Sequence, residues 1–160
     1  MKRTLRPIYP SEMAEQKKSD ALNHLLFLKD KSDKTIKARF CAGGCKQRAG
    51  WNKRDVTSTT AALESILSCI DALEGRNVAM MDIPKAFLTA DMDKEVNMML
   101  RGILAELMVD VETLLCLNHM AVDNGRKVLY VRLKKALYGT LWASLLFYEK
   151  FLGDLQSQGF

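Results

Sequence analysis

The hydrophobic period changes along this chain, and that change limits the fold. From Thr35 to Ala42 the residues alternate, with Ile36, Ala38 and Phe40 on one side and Lys37, Arg39 and Cys41 on the other. Alternation of this kind marks a half-buried strand, here with a basic outer face. From Thr60 to Glu74 the period becomes helical: Leu63, Ile66, Leu67, Ile70 and Leu73 share one face, and Gly75 supplies the stop. Asp123-Asn124-Gly125 then marks a hairpin, because Asn-Gly suits a type I′ turn. Helical and alternating segments mix without strict strand–helix–strand order. The expected class is α+β, with mixed helices and antiparallel hairpins.

The other elements follow from shorter signals. Leu25 to Leu28 reads as a short buried strand, Asp30 to Lys34 as the turn that pairs it with the basic strand. Val78 to Met81 reads as a second buried strand ending at Asp82, where Pro84 stops the pairing. Val96–Leu100 and Val128–Val131 are further strands. Ile103–Val111 and Leu141–Gln156 are helices. Residues 1–24 read as a loose N-terminal lead-in with a short helix capped by Ser11. Residues 25–160 read as the folded unit.

Charge is unevenly spread. Residues 1–54 carry 14 Lys/Arg against 5 Asp/Glu, and residues 55–125 carry 4 against 12. A basic third attracts polyanions, nucleic acid above all, and an acidic stretch can hold divalent cations. Two ordinary solvated faces would have the same composition. No apolar run approaches the ~18 residues of a membrane span, so no membrane partner is expected. No apolar segment follows the basic start, so no secretory leader is expected either. The four cysteines fit a reducing compartment better than a disulfide framework.

Several residue groups bear on chemistry. Asp82, at the end of an apolar run, could hold a divalent metal on a rigid support; the alternative is a turn Asp before Pro84. Asp91, Asp93 and Glu95 share one face if extended, but they lack the glycine bend of a calcium loop. Lys37, Arg39, Lys46 and Arg48 surround Gly43-Gly44, a pattern that could grip phosphates without matching a P-loop. Cys41-x-x-x-Cys45 has no second ligand pair, so zinc is not expected. Tyr130, Tyr138, Trp142, Phe147 and Tyr148 could stack on bases, although core packing is the commoner use.

Three blocks together resemble the reverse transcriptase domain of copia-type retrotransposons. The first runs from Ile36 through Lys37-Ala38-Arg39 to Lys46-Gln47-Arg48 and is similar to the family's Lys-Ala-Arg strand. The second, Met81 to Val96, contains Asp82-Ile83-Pro84-Lys85-Ala86-Phe87-Leu88 and then Asp91-x-Asp93-x-Glu95-Val96. It is similar to the palm block built on Asp-[Val/Ile]-x-x-Ala-Phe-Leu. The third is Leu133-Lys134-Lys135-Ala136-Leu137-Tyr138-Gly139, continuing to Gly159-Phe160. The blocks span residues 36–160 in the family's order.

The resemblance implies a partial right-hand polymerase, fingers and palm. It implies RNA-directed DNA synthesis by two Mg2+ ions, which bring a primer hydroxyl against the incoming α-phosphate. Asp82 would be the catalytic carboxylate and a metal ligand, and Ile83 would bind metal through its carbonyl. Phe87 would lie under the nucleotide sugar. Lys37 and Arg39 would bind the triphosphate or template, and Lys46 and Arg48 the nucleic acid. The implied partners are an RNA template, a DNA primer, deoxynucleoside triphosphates and the remaining parts of a retroelement polyprotein; the implied location is cytoplasmic. The family's Val-Asp-Asp block does not occur in this sequence. Trp142 stands where the family has Gln or Arg, and Lys85 where it has a small residue. The chain alone is therefore expected to be inactive as a polymerase. The alternative is a nucleic-acid-binding remnant without catalysis.

Overall fold

The computed structural model describes residues 4–48, 61–79 and 82–159, with the side chains of Arg48 and of residues 61–64 left undescribed. The fold is mixed α and β. A sheet runs in the order β1 (Leu5–Ile8), β6 (Arg126–Leu133), β4 (Asn97–Arg101), β2 (Leu22–Asp30), β3 (Ile36–Ala42). A short strand, β5 (Met120–Asp123), pairs with the first half of β6. All pairings are antiparallel except β2 with β4, where only Leu22 and Asn23 meet Met98 and Met99.

The β5–β6 hairpin closes at Asn124 and Gly125, both with positive φ, as the Asn-Gly pair demands. Strand β6 is the centre of the sheet, with neighbours on both sides, which is why Val128 to Val131 are all buried. One face of the sheet puts Met98, Leu100, Leu129, Val131 and Leu133 against Ala105, Cys116, Leu137 and Trp142. These come from α4 (Ile103–Val111), α5 (Thr113–Cys116) and the segment leading into α6 (Ala143–Ser157). The opposite face puts Ile8, Met99, Val128 and Tyr130 under Met13 and Ala21, which flank α1 (Glu15–Asp20). Each fully buried Leu here contributes about 1.5–3 kcal/mol.

Several expectations are corrected. Residues 5–8 are no loose lead-in: they pair with Tyr130–Leu133 as an edge strand. Ser11 caps nothing; it lies in a single 3-10 turn, Pro10–Glu12, and α1 starts after Ala14. Leu25 to Leu28 do pair with β3, but they are 44–64% exposed rather than buried. An apolar run on both faces suggests cover from two layers, yet β2 leaves β4 after Asn23 and projects outward with β3 alone. Val78 and Ala79 form no strand, and Val78 is exposed; Met80 and Met81 lie outside the described residues. The helical period does form α2 (Ala61–Leu73), ended as expected by Gly75 at positive φ. Among the described residues its apolar stripe is largely uncovered.

Candidate nucleic-acid interface

Residues directly opposite in an antiparallel pair share one face of the ribbon. In the β2–β3 hairpin Leu25 faces Cys41, Phe27 faces Arg39 and Lys29 faces Lys37. One face therefore carries Phe27, Lys29, Lys37 and Arg39, all exposed. The other carries Leu26 opposite Phe40, Leu28 opposite Ala38 and Asp30 opposite Ile36. The alternation of Lys37 and Arg39 with Ile36, Ala38 and Phe40 is thus realised, but the strand is not half-buried as expected: Ile36 and Ala38 are exposed as well, because the hairpin projects beyond β4.

Lys29 and Lys37 are cross-strand neighbours of like charge, an arrangement that destabilises a bare hairpin. Among the described residues neither they nor Arg39 has an ion-pair partner. Across the turn, Asp33 accepts bonds from the Thr35 hydroxyl at 2.6 Å and its backbone N–H at 2.9 Å. The hydroxyl bond is the main cause that lowers the Asp33 pKa, so the turn carboxylate is spent on closing the turn. Three cations beside an exposed aromatic ring can take phosphates and a base together. Lys29 and Phe27 were not singled out from sequence. Their signal is register, which needs the turn position.

The base of the hairpin is locked to the third sequence block. Ala42 N–H donates to the Tyr138 carbonyl at 2.7 Å, and Gly43 N–H to the Asn23 carbonyl at 2.7 Å. The Leu141 N–H donates to Gln47 Oε1 at 3.1 Å. A Cβ on Gly44 would sit 2.0 Å from the Gly139 carbonyl oxygen. Gly44 therefore serves a close backbone crossing. Lys46 is also used internally: its Nζ donates to the carbonyls of Ser19 at 2.7 Å and Ala21 at 3.5 Å. Arg48 ends the 3-10 turn Gly44–Arg48, and its side chain lies outside the described residues.

The second block is arranged differently from the first. Asp82 is exposed and Ile83 half-buried, both in an irregular segment before α3 (Ala86–Thr89). Phe87 in α3 packs into an aromatic cluster, 4.5 Å from Tyr138 and 6.1 Å from Phe147 between ring centroids. Tyr130 and Trp142 are buried in the core, whereas Tyr138 and Tyr148 are about half exposed. The acidic stretch is drawn into ion pairs. Asp91 meets the buried Lys135 at 2.8 Å, and Lys135 also donates to the Thr89 carbonyl. Glu95 meets Lys17 at 2.9 Å and Arg132 at 2.6 Å. The Lys17 bond is the main cause holding the Glu95 carboxyl below its ordinary pKa; partial desolvation opposes it.

Among the described residues no three His, Cys, Asp or Glu side chains converge as a metal site. None of the described helices is long and apolar enough to cross a membrane. No protein-family model, curated protein or solved structure matches this chain.

Proposed function

We propose that this chain is a fingers and palm portion of a copia-type RNA-directed DNA polymerase, and that its own activity is gripping template–primer nucleic acid. The observation that carries the reading is the face holding Phe27, Lys29, Lys37 and Arg39, three cations without an anionic partner among the described residues. A phosphate backbone would relieve the Lys29–Lys37 repulsion, and Phe27 offers a stacking surface. The three sequence blocks supply the polymerase part of the proposal. In the intact polymerase two Mg2+ would drive nucleotidyl transfer, with Asp82 and the Ile83 carbonyl among the ligands and Phe87 beside the sugar.

The test pairs two assays on the full chain. RNA–DNA duplex should bind without added Mg2+, and binding should weaken steeply as salt rises. Primer extension with Mg2+ and deoxynucleotides should stay at the no-protein blank. Binding indifferent to salt would overturn the grip; extension above the blank would overturn the inactivity.

A further inference from the structure

A second set of cations meets on the sheet at its other edge, away from the hairpin. Lys134 N–H donates to the Thr4 carbonyl at 2.8 Å, and Arg6 lies directly opposite Arg132. Hydrogen-bonded pairs alternate along an antiparallel ladder, so Arg6 and Arg132 are the next such pair, with Cα atoms about 5.5 Å apart. Opposite residues share a face, and so do residues two apart on one strand. Arg6, Arg132 and Lys134 therefore lie together, beside Asn97 of β4. This is the face that α1 partly covers, since Ile8, Met99 and Tyr130 share it.

Two guanidinium groups set opposite each other repel. One of them is compensated. Arg132 donates to Glu95 Oε1 at 2.6 Å and to Asn97 Oδ1 at 3.5 Å. Glu95 is shared, because Lys17 Nζ also donates to both its oxygens, at 3.0 and 2.9 Å. Among the described residues Arg6 and Lys134 have no ion-pair partner. Glu12 borders the same cavity as Arg6 and Lys134 and pairs with neither.

We infer that Arg6, Arg132 and Lys134 form a binding site for a phosphate group. A phosphate offers oxygens to two guanidinium forks and an ammonium at once, and it removes the Arg6–Arg132 repulsion. Glu95 and Asn97 already hold Arg132, which lowers the ordering cost of binding. Two sources carry this chemistry: free phosphate and the backbone of a nucleic acid. Asn23 meets Met99 in the β2–β4 pairing, so the hairpin face of Phe27 and Lys29 lies on the same side of the sheet. The site itself does not rest on the nucleic-acid reading, because any phosphate group satisfies it.

Two arms on the full chain test the site and separate the sources. In the first, phosphorus NMR follows inorganic phosphate titrated with protein in low-salt buffer. Saturable broadening is expected, and Arg6→Gln should weaken it about tenfold, the loss of one charge-assisted contact. Arg126→Gln removes the same charge from the other end of β6 and should change nothing. Arg6 and Lys134 are both exposed, so Lys134→Gln replaces Arg6→Gln if that variant loses its melting transition. In the second arm, RNA–DNA duplex binding is measured over a salt series. Occupation by the backbone should make Arg6→Gln lower the slope of log K against log salt by about 0.7–0.9. A loss on Arg6→Gln in either arm supports the site and names its source. Lys29→Ala with Lys37→Ala should leave phosphate binding intact, which separates this site from the hairpin grip. No effect of Arg6→Gln in either arm overturns the proposal, and so does an equal loss from Arg126→Gln.

Discussion

Gly139→Ala should be among the most damaging single-methyl changes in this chain. At Gly139 φ is +89°, and an added Cβ would lie 2.0 Å from the Ala42 carbonyl oxygen and 3.0 Å from its carbon. Both obstacles are backbone, so no side chain can swing aside. Left-handed strain costs about 1–2 kcal/mol, and overpacking against fixed backbone about 1–3 kcal/mol. Displacement also threatens the Ala42 N–H bond to the Tyr138 carbonyl, worth about 1 kcal/mol. The sum is about 4 kcal/mol, a large part of a typical stability of about 5–15 kcal/mol. The natural control is Gly153→Ala, in the middle of α6 with nothing within 4 Å of the new Cβ. That change should stabilise by about 0.5–1 kcal/mol. Urea unfolding followed by circular dichroism compares the two. If Gly139→Ala falls within about 1 kcal/mol of wild type, the backbone crossing does not anchor the hairpin as described.

Two further outcomes concern Glu95 and Lys46. Glu95 has a folded pKa below its ordinary 4.5, so its pairing stabilises the fold above that pH and is lost as pH falls through the depressed value. Glu95→Gln should therefore lower the urea midpoint at neutral pH, and the difference from wild type should vanish well below pH 4.5; a gap that persists in acid contradicts the assignment. Lys46→Met keeps the aliphatic stem but removes the donor to the Ser19 and Ala21 carbonyls. It should cost about 1 kcal/mol with little change in nucleic-acid affinity; a large affinity loss would return Lys46 to the interface.

Local signals in the sequence translated well where a single residue type decides the geometry. Asn124-Gly125 forced a turn, Gly75 ended a helix, and the alternation from Ile36 to Phe40 became a strand with the cations on one side. What failed depended on neighbours distant in sequence. Leu25 to Leu28 look like core, but burial requires a partner layer, and β2 parts from β4 after two residues. Residues 5–8 look like a tail, yet β6 has a free edge that pairs with them. Spacing around the glycine pair cannot show that Gly139 crosses Gly44. Lys46 is exposed, yet spacing cannot show that its Nζ donates to two carbonyls 27 and 25 residues earlier. The Lys29–Lys37 pairing became visible only through the register.

If the face of Phe27, Lys29, Lys37 and Arg39 grips nucleic acid, the salt dependence of binding must show it. Affinity for an RNA–DNA duplex would be measured over a salt series for wild type and for the triple variant Lys29→Ala, Lys37→Ala, Arg39→Ala. Each phosphate contact contributes about 0.7–0.9 to the slope of log K against log salt. The triple variant should lose about 2–3 from that slope and keep its melting transition. A variant with unchanged affinity and unchanged slope would contradict it.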